Sequence, residues 1–84
     1  MSETLANLIG LCGTVCIIFA YGYATGHSAP NPFVQHGVNL LGAAFLTVSL
    51  LVNFNLASLV LEFFWAAIAL WGLAKAWRAR SNAA

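Results

Sequence analysis

Three long apolar stretches, separated by two short polar breaks, organise this chain. They run from Leu5 to Tyr23, from Val34 to Val52 and from Leu56 to Trp77. A helix rises about 1.5 Å per residue, so each stretch is long enough to cross roughly 30 Å of hydrocarbon. The runs do not alternate apolar and polar residues. Leu8-Ile9 and Val15-Cys16-Ile17-Ile18-Phe19-Ala20 lack the period of two that a membrane barrel strand needs. The pattern therefore predicts an all-α fold: an integral membrane three-helix bundle forming a single domain over residues 1–84.

The breaks carry their own local chemistry. Ser2 or Thr4 can cap the first helix. Gly26-His27-Ser28-Ala29-Pro30-Asn31-Pro32 concentrates residues that end helices, and Pro32 suits a helix start, where its missing N–H costs nothing. Asn53-Phe54-Asn55 is so short that the second and third spans must be antiparallel neighbours. Ser81 to Ala84 is expected to fray.

Composition sharpens the assignment. Charged residues make up 6% of the chain and hydrophobic ones 62%, against about 25% charged in an ordinary soluble domain. So little charge cannot coat a surface facing water, and the lipid bilayer is the expected partner. A nucleic-acid partner is not expected, because no basic patch could neutralise a row of phosphates. Lys75, Arg78 and Arg80, the only Lys or Arg residues, all lie in the last turn of the third span or just after it. Cytoplasmic flanks collect such residues, which predicts a multi-pass protein of the bacterial inner membrane, its C-terminus cytoplasmic and its N-terminus outside. A signal peptide over residues 1–25 would need a positive start, whereas Met1-Ser2-Glu3-Thr4 is uncharged or acidic. Tyr21, Tyr23, Trp71 and Trp77 lie toward the same end and fit an interfacial aromatic belt.

Each span carries a stripe of small or polar residues at helical spacing. The first shows Asn7, Gly10, Thr14 and Tyr21; the second, His36, Asn39, Ala43 and Thr47; the third, Ser58, Glu62, Trp65, Ala69, Gly72 and Ala76. Lipid gives helices no hydrophobic reason to associate, so small residues and cross-helix polar bonds must supply the cohesion. The stripes are expected to face protein. Asn7, Gly10, Thr14, Ala43, Ser58, Ala69 and Gly72 are read as packing residues, and Glu62, Trp65, Asn39, Thr47 and His36 as candidate substrate-binding residues.

Glu62 is the sharpest of these. An acid near the bilayer centre costs up to about 3 kcal/mol on insertion. The nine Leu, Ile, Val and Phe residues of its span return roughly 0.3–0.6 kcal/mol each, so the span can still insert. Counting back from the Phe54 turn sets Leu46 and Thr47 opposite Glu62, with Asn7 and Thr14 bracketing its level. The acid is either a proton or solute ligand, or a neutral group hydrogen-bonded to Thr47 or to a partner subunit. His36 lies about 15 Å of helix rise away, too far for a direct bond within one subunit. It is either a titrating group or an interfacial histidine bonded to a carbonyl or water.

Cys12 and Cys16 are spaced for one helix face, on the side away from Asn7 and Thr14. Two cysteines without further ligands make no zinc site, and they are read as small packing residues. No metal, cofactor or catalytic residue is expected, nor an enzyme, since no nucleotide loop, metalloprotease motif or nucleophile–base pair occurs at a usable spacing.

The segments His36-Gly37-Val38-Asn39-Leu40-Leu41-Gly42-Ala43, Ser49 to Asn55, Glu62-Phe63-Phe64-Trp65 and Leu70-Trp71-Gly72-Leu73 resemble a family of small uncharacterised bacterial three-span membrane proteins. The likeness runs from about Leu8 to Leu73. That family is distantly similar to the PQ-loop and SemiSWEET-like superfamily and to the membrane domain of lipid A biosynthesis proteins. The resemblance implies a unit in which the third span packs between the first two, and a dimer lining a solute path, as in a half-transporter. The chain departs from that pattern in having no Pro-Gln dipeptide and no proline in its first span.

Two functions follow as expectations. One is a non-enzymatic helix-packing module that self-associates as a homodimer or serves a larger membrane complex. The alternative is a homodimeric SemiSWEET-like half-transporter for a small solute.

Overall fold

The structure, a computed structural model, describes residues 1–83, with side chains placed as far as Ser81. Helix α1 spans Glu3–Gly26, α2 spans Pro32–Leu50 and α3 spans Leu56–Ala83. All three are long and apolar enough to cross a membrane. The all-α expectation holds, and the spans fall within a few residues of those read from the pattern. The largest difference is at the end of α3, which remains helical through Ala83 where fraying was expected from Ser81. Ala84 lies outside the described residues.

The caps explain the boundaries. Ser2 Oγ accepts from the Leu5 N–H at 3.1 Å, satisfying one of the free amides of the first turn. Asn31 Oδ1 accepts from the Phe33 N–H at 2.9 Å, and Pro32 occupies the first helical position. Asn55 Oδ1 accepts from the Ser58 N–H at 3.1 Å, which starts α3 directly after the turn. Tyr23 anchors the loop that follows α1. Its hydroxyl accepts from the Asn31 N–H at 3.0 Å, and its ring lies 4.5 Å from that of His27. One side chain thereby ties down both ends of the 27–31 loop.

Helix α2 is the centre of the molecule. It packs along α1 on one side and α3 on the other, and α1 and α3 do not touch among the described residues. This corrects the expectation that the third span lies between the first two. The physical cause is that α2 offers two contact faces. Gly42, Leu46 and Ser49 meet α1, while His36 and Asn39 meet α3.

Small residues set both seams. Ala6, Ala20, Ala43 and Ala69 form the buried apolar core, and no large side chain is fully buried among the described residues. Leu11, Val15, Ile18, Phe63 and Phe64 are instead exposed, the arrangement expected where the surrounding solvent is apolar. Backbones approach closely where Gly13 meets Gly42. A Cβ on Gly13 would stand 2.7 Å from the Gly42 carbonyl oxygen, and one on Gly42 would stand 2.8 Å from that of Gly13.

Candidate functional site: the seam between α2 and α3

The stripe read on α3 is the face that α3 turns to α2. Glu62 and Ala69 are buried, and Ser58, Trp65, Gly72 and Ala76 are half-buried. Their spacing of three and four residues keeps them on one side of a helix. Facing them, His36, Asn39 and Ala43 share one face of α2 by the same spacing.

Two contacts fix the seam toward its basic end. The Trp65 indole N–H donates to Asn39 Oδ1 at 3.3 Å, which joins two of the candidate binding residues. Farther along, the His36 ring lies against Gly72, where a Cβ would overlap the ring at Nε2. Glycine at this position is what admits the imidazole.

Glu62 occupies the half of the seam nearer the Asn53–Asn55 turn. It is 8% exposed, and both carboxyl oxygens are shielded and have no hydrogen-bond partner. Two grooves flank it. One, of about 490 Å³, is bordered by Thr47, Leu59, Glu62, Phe63 and Leu70. The other, of about 170 Å³, is bordered by Leu46, Ser49, Ser58, Leu61 and Glu62. The expected proximity of Leu46 and Thr47 to Glu62 is therefore seen. One of the alternatives for the acid, a hydrogen bond to Thr47, is not seen; that hydroxyl donates to the Ala43 carbonyl of its own helix at 2.8 Å.

Several first-span expectations need correction. Thr14 and Tyr21 are exposed. The Thr14 hydroxyl donates to the Gly10 carbonyl at 3.0 Å, so it is satisfied within its own turn and needs no neighbouring helix. Asn7 also faces outward, but its Oδ1 accepts from Asn53 Nδ2 at 2.7 Å, which ties α1 to the turn. Neither Asn7 nor Thr14 approaches Glu62, since α1 does not reach α3. Gly10 is buried and lies against Ser49.

The residues missed on α1 are Ala6, Gly13 and Ala20, all buried. Cys16, read as a small packing residue on the side away from Asn7 and Thr14, is half-buried and lies against Gly42. Cys12 is exposed, and both thiols are free. The signal that would have found this face is the run of small residues Ala6, Gly10, Gly13 and Ala20 at helical spacing. No cluster of three metal-ligating side chains occurs among the described residues.

Comparison with curated proteins gives no match, and neither does comparison with solved structures. These comparisons lend no support to a PQ-loop or SemiSWEET-like relationship. A family model does match, over residues 6–80. That range takes in all of α2, most of α1 and α3 and the whole α2–α3 seam, and on it the chain belongs to a family of uncharacterised proteins.

Proposed function

We propose that this protein is a non-enzymatic membrane module, crossing the bilayer three times, whose role is to assemble with a second copy or with a larger membrane complex. The observation that carries this reading is Glu62. A carboxyl group shielded from water with no partner in its own chain is costly. A polar group from a neighbouring chain would remove that cost. The exposed apolar faces of α1 and α3 supply the surface for such an association. On this reading the basic end of α3 is cytoplasmic and the N-terminus lies on the opposite side.

The second reading, a homodimeric half-transporter for a small solute, is favoured by a different observation. Glu62 stands between two grooves, and an acid within a membrane span is a functional candidate by default. Asn39, Trp65 and Thr47 would then line the path beside it, with His36 toward its basic end.

One experiment separates the two. Native protein, Glu62→Gln and Trp65→Phe are purified in detergent and reconstituted in liposomes, and their assembly and solute flux are compared. Loss of assembly in Glu62→Gln, with no flux in the native protein, supports the assembly role. Flux in the native protein that disappears in Glu62→Gln while the oligomer persists supports transport. A native protein that stays a single chain in lipid and moves no solute defeats both.

A further inference from the structure

At its basic end, the seam between α2 and α3 opens into a slot of about 280 Å³. Gly72, Ala76 and Ala79 line it from α3, Pro32 and His36 from α2, and Lys75 borders it. The slot exists because those three α3 residues are small, so they leave open the space that larger side chains would fill. We infer that this slot binds the phosphate of an anionic phospholipid headgroup, through Lys75 and the imidazole of His36.

Depth argues for a lipid phosphate. Nineteen residue steps separate Leu56 from Lys75, or about 28 Å of helix. If Leu56 enters the hydrocarbon at one face, Lys75 emerges at the other, where phosphates lie. The Lys75 ammonium lies 6.0 Å from the centre of the Trp71 ring, and indoles settle at that same level.

Charge argues in the same direction. The chain has two acids, Glu3 and Glu62, and neither borders the slot. All three of its Lys and Arg residues lie between positions 75 and 80. The walls of the slot are mostly apolar, suited to the hydrocarbon part of a lipid, with Lys75 and His36 its only polar side chains; basic residues at a cleft between membrane helices are a recognised form of headgroup site. Here His36, held against Gly72, adds a hydrogen-bonding ring to the lysine.

This inference rests on the membrane-spanning reading, which is checked separately by asking whether the native protein stays in vesicles after an alkaline carbonate wash. The inference itself is tested by native mass spectrometry of the purified protein with equal amounts of phosphatidylglycerol and phosphatidylcholine. The native protein should retain phosphatidylglycerol preferentially. Lys75→Gln should weaken retention roughly fivefold, the worth of one basic side chain at an anionic surface. Ala76→Leu, which fills the slot without changing charge, should weaken it as well. Arg80→Gln, outside the slot lining, should leave retention nearly unchanged.

Equal retention of the two lipids overturns the inference. So does an equal loss in Lys75→Gln and Arg80→Gln, which would mean diffuse attraction to the whole basic end. Displacement of the lipid by an equal concentration of glycerol phosphate, which has no acyl chains, would assign the slot to a soluble phosphate instead. Should Lys75→Gln fail to fold, retention by Ala76→Leu decides between binding in the slot and binding elsewhere.

Discussion

The indole N–H of Trp65 reaches across the seam to Asn39 Oδ1 at 3.3 Å, the one side-chain hydrogen bond joining α2 to α3 among the described residues. It lies one helical turn from Glu62, so a specified polar contact and an unsatisfied acid are neighbours on α3.

That bond has a measurable worth. Polar bonds between membrane helices average about 0.6 kcal/mol in double-mutant cycles. Trp65→Phe and Asn39→Ala should each destabilise the protein in detergent. The double variant should lose less than the sum of the two by about that amount. Unfolding by added SDS, followed by circular dichroism, reads the coupling; strict additivity would show the bond to be energetically idle.

The contact of Gly13 with Gly42 should tolerate no side chain. A Cβ on Gly13 would meet the Gly42 carbonyl at 2.7 Å, and backbone cannot swing aside as a flexible side chain can. Gly13→Ala should therefore cost roughly 1–3 kcal/mol. Gly22 lies on the same helix with nothing within 4 Å of its added Cβ. Gly22→Ala should stabilise the helix by about 0.5–1 kcal/mol. Opposite shifts in the same SDS titration check both.

Gly72 should behave differently from Gly13, because what a methyl group meets there is the His36 ring. Gly72→Ala should lower thermal stability, and adding His36→Ala should restore much of the loss. Failure of this rescue would mean that the ring is not what Gly72 accommodates.

Glu62 should limit the stability of the isolated chain. Leaving a buried polar group unpaired costs about 1–3 kcal/mol. Glu62→Met, which keeps the volume and removes the polar atoms, should raise the melting temperature of the single chain in detergent. If a second copy supplies the missing partner, the same substitution should weaken association. Melting and sedimentation measured on one preparation reveal both effects.

The two cysteines should react at different rates. Cys12 is exposed, while Cys16 is half-buried against Gly42. With the protein in detergent, a small maleimide should modify Cys12 first, as tandem mass spectrometry of partly labelled protein would show.

The three helices and the α3 stripe were legible in the sequence because the polar and small residues Ser58, Glu62, Ala69, Gly72 and Ala76, with Trp65, recur every three or four positions. That face has a single neighbour to meet, while Ala67 and Ala74 lie off it and are exposed. The α1 stripe was misread for a physical reason. Thr14 looked as if it needed a neighbouring helix, yet a threonine can spend its hydroxyl on the carbonyl one turn back, as it does here on Gly10. Closeness to α2 was decided by size, at Gly13 and Ala20, rather than by polarity. The central place of α2 was not legible either. Its two contact faces lie side by side, with Gly42 turned to α1 and its neighbour Ala43 on the face of His36 and Asn39, so one stripe could not represent both. The open valence of Glu62 was half legible: an isolated acid shows in the sequence, but its lack of a bond appears only once Thr47 is seen to bond its own helix.

Because α1 and α3 each lean on α2 and not on one another, a substitution on either flank can reach the other only by way of the middle helix. The two seams meet at Leu46 and Ser49, each of which touches a glycine of α1 and borders the groove beside Glu62.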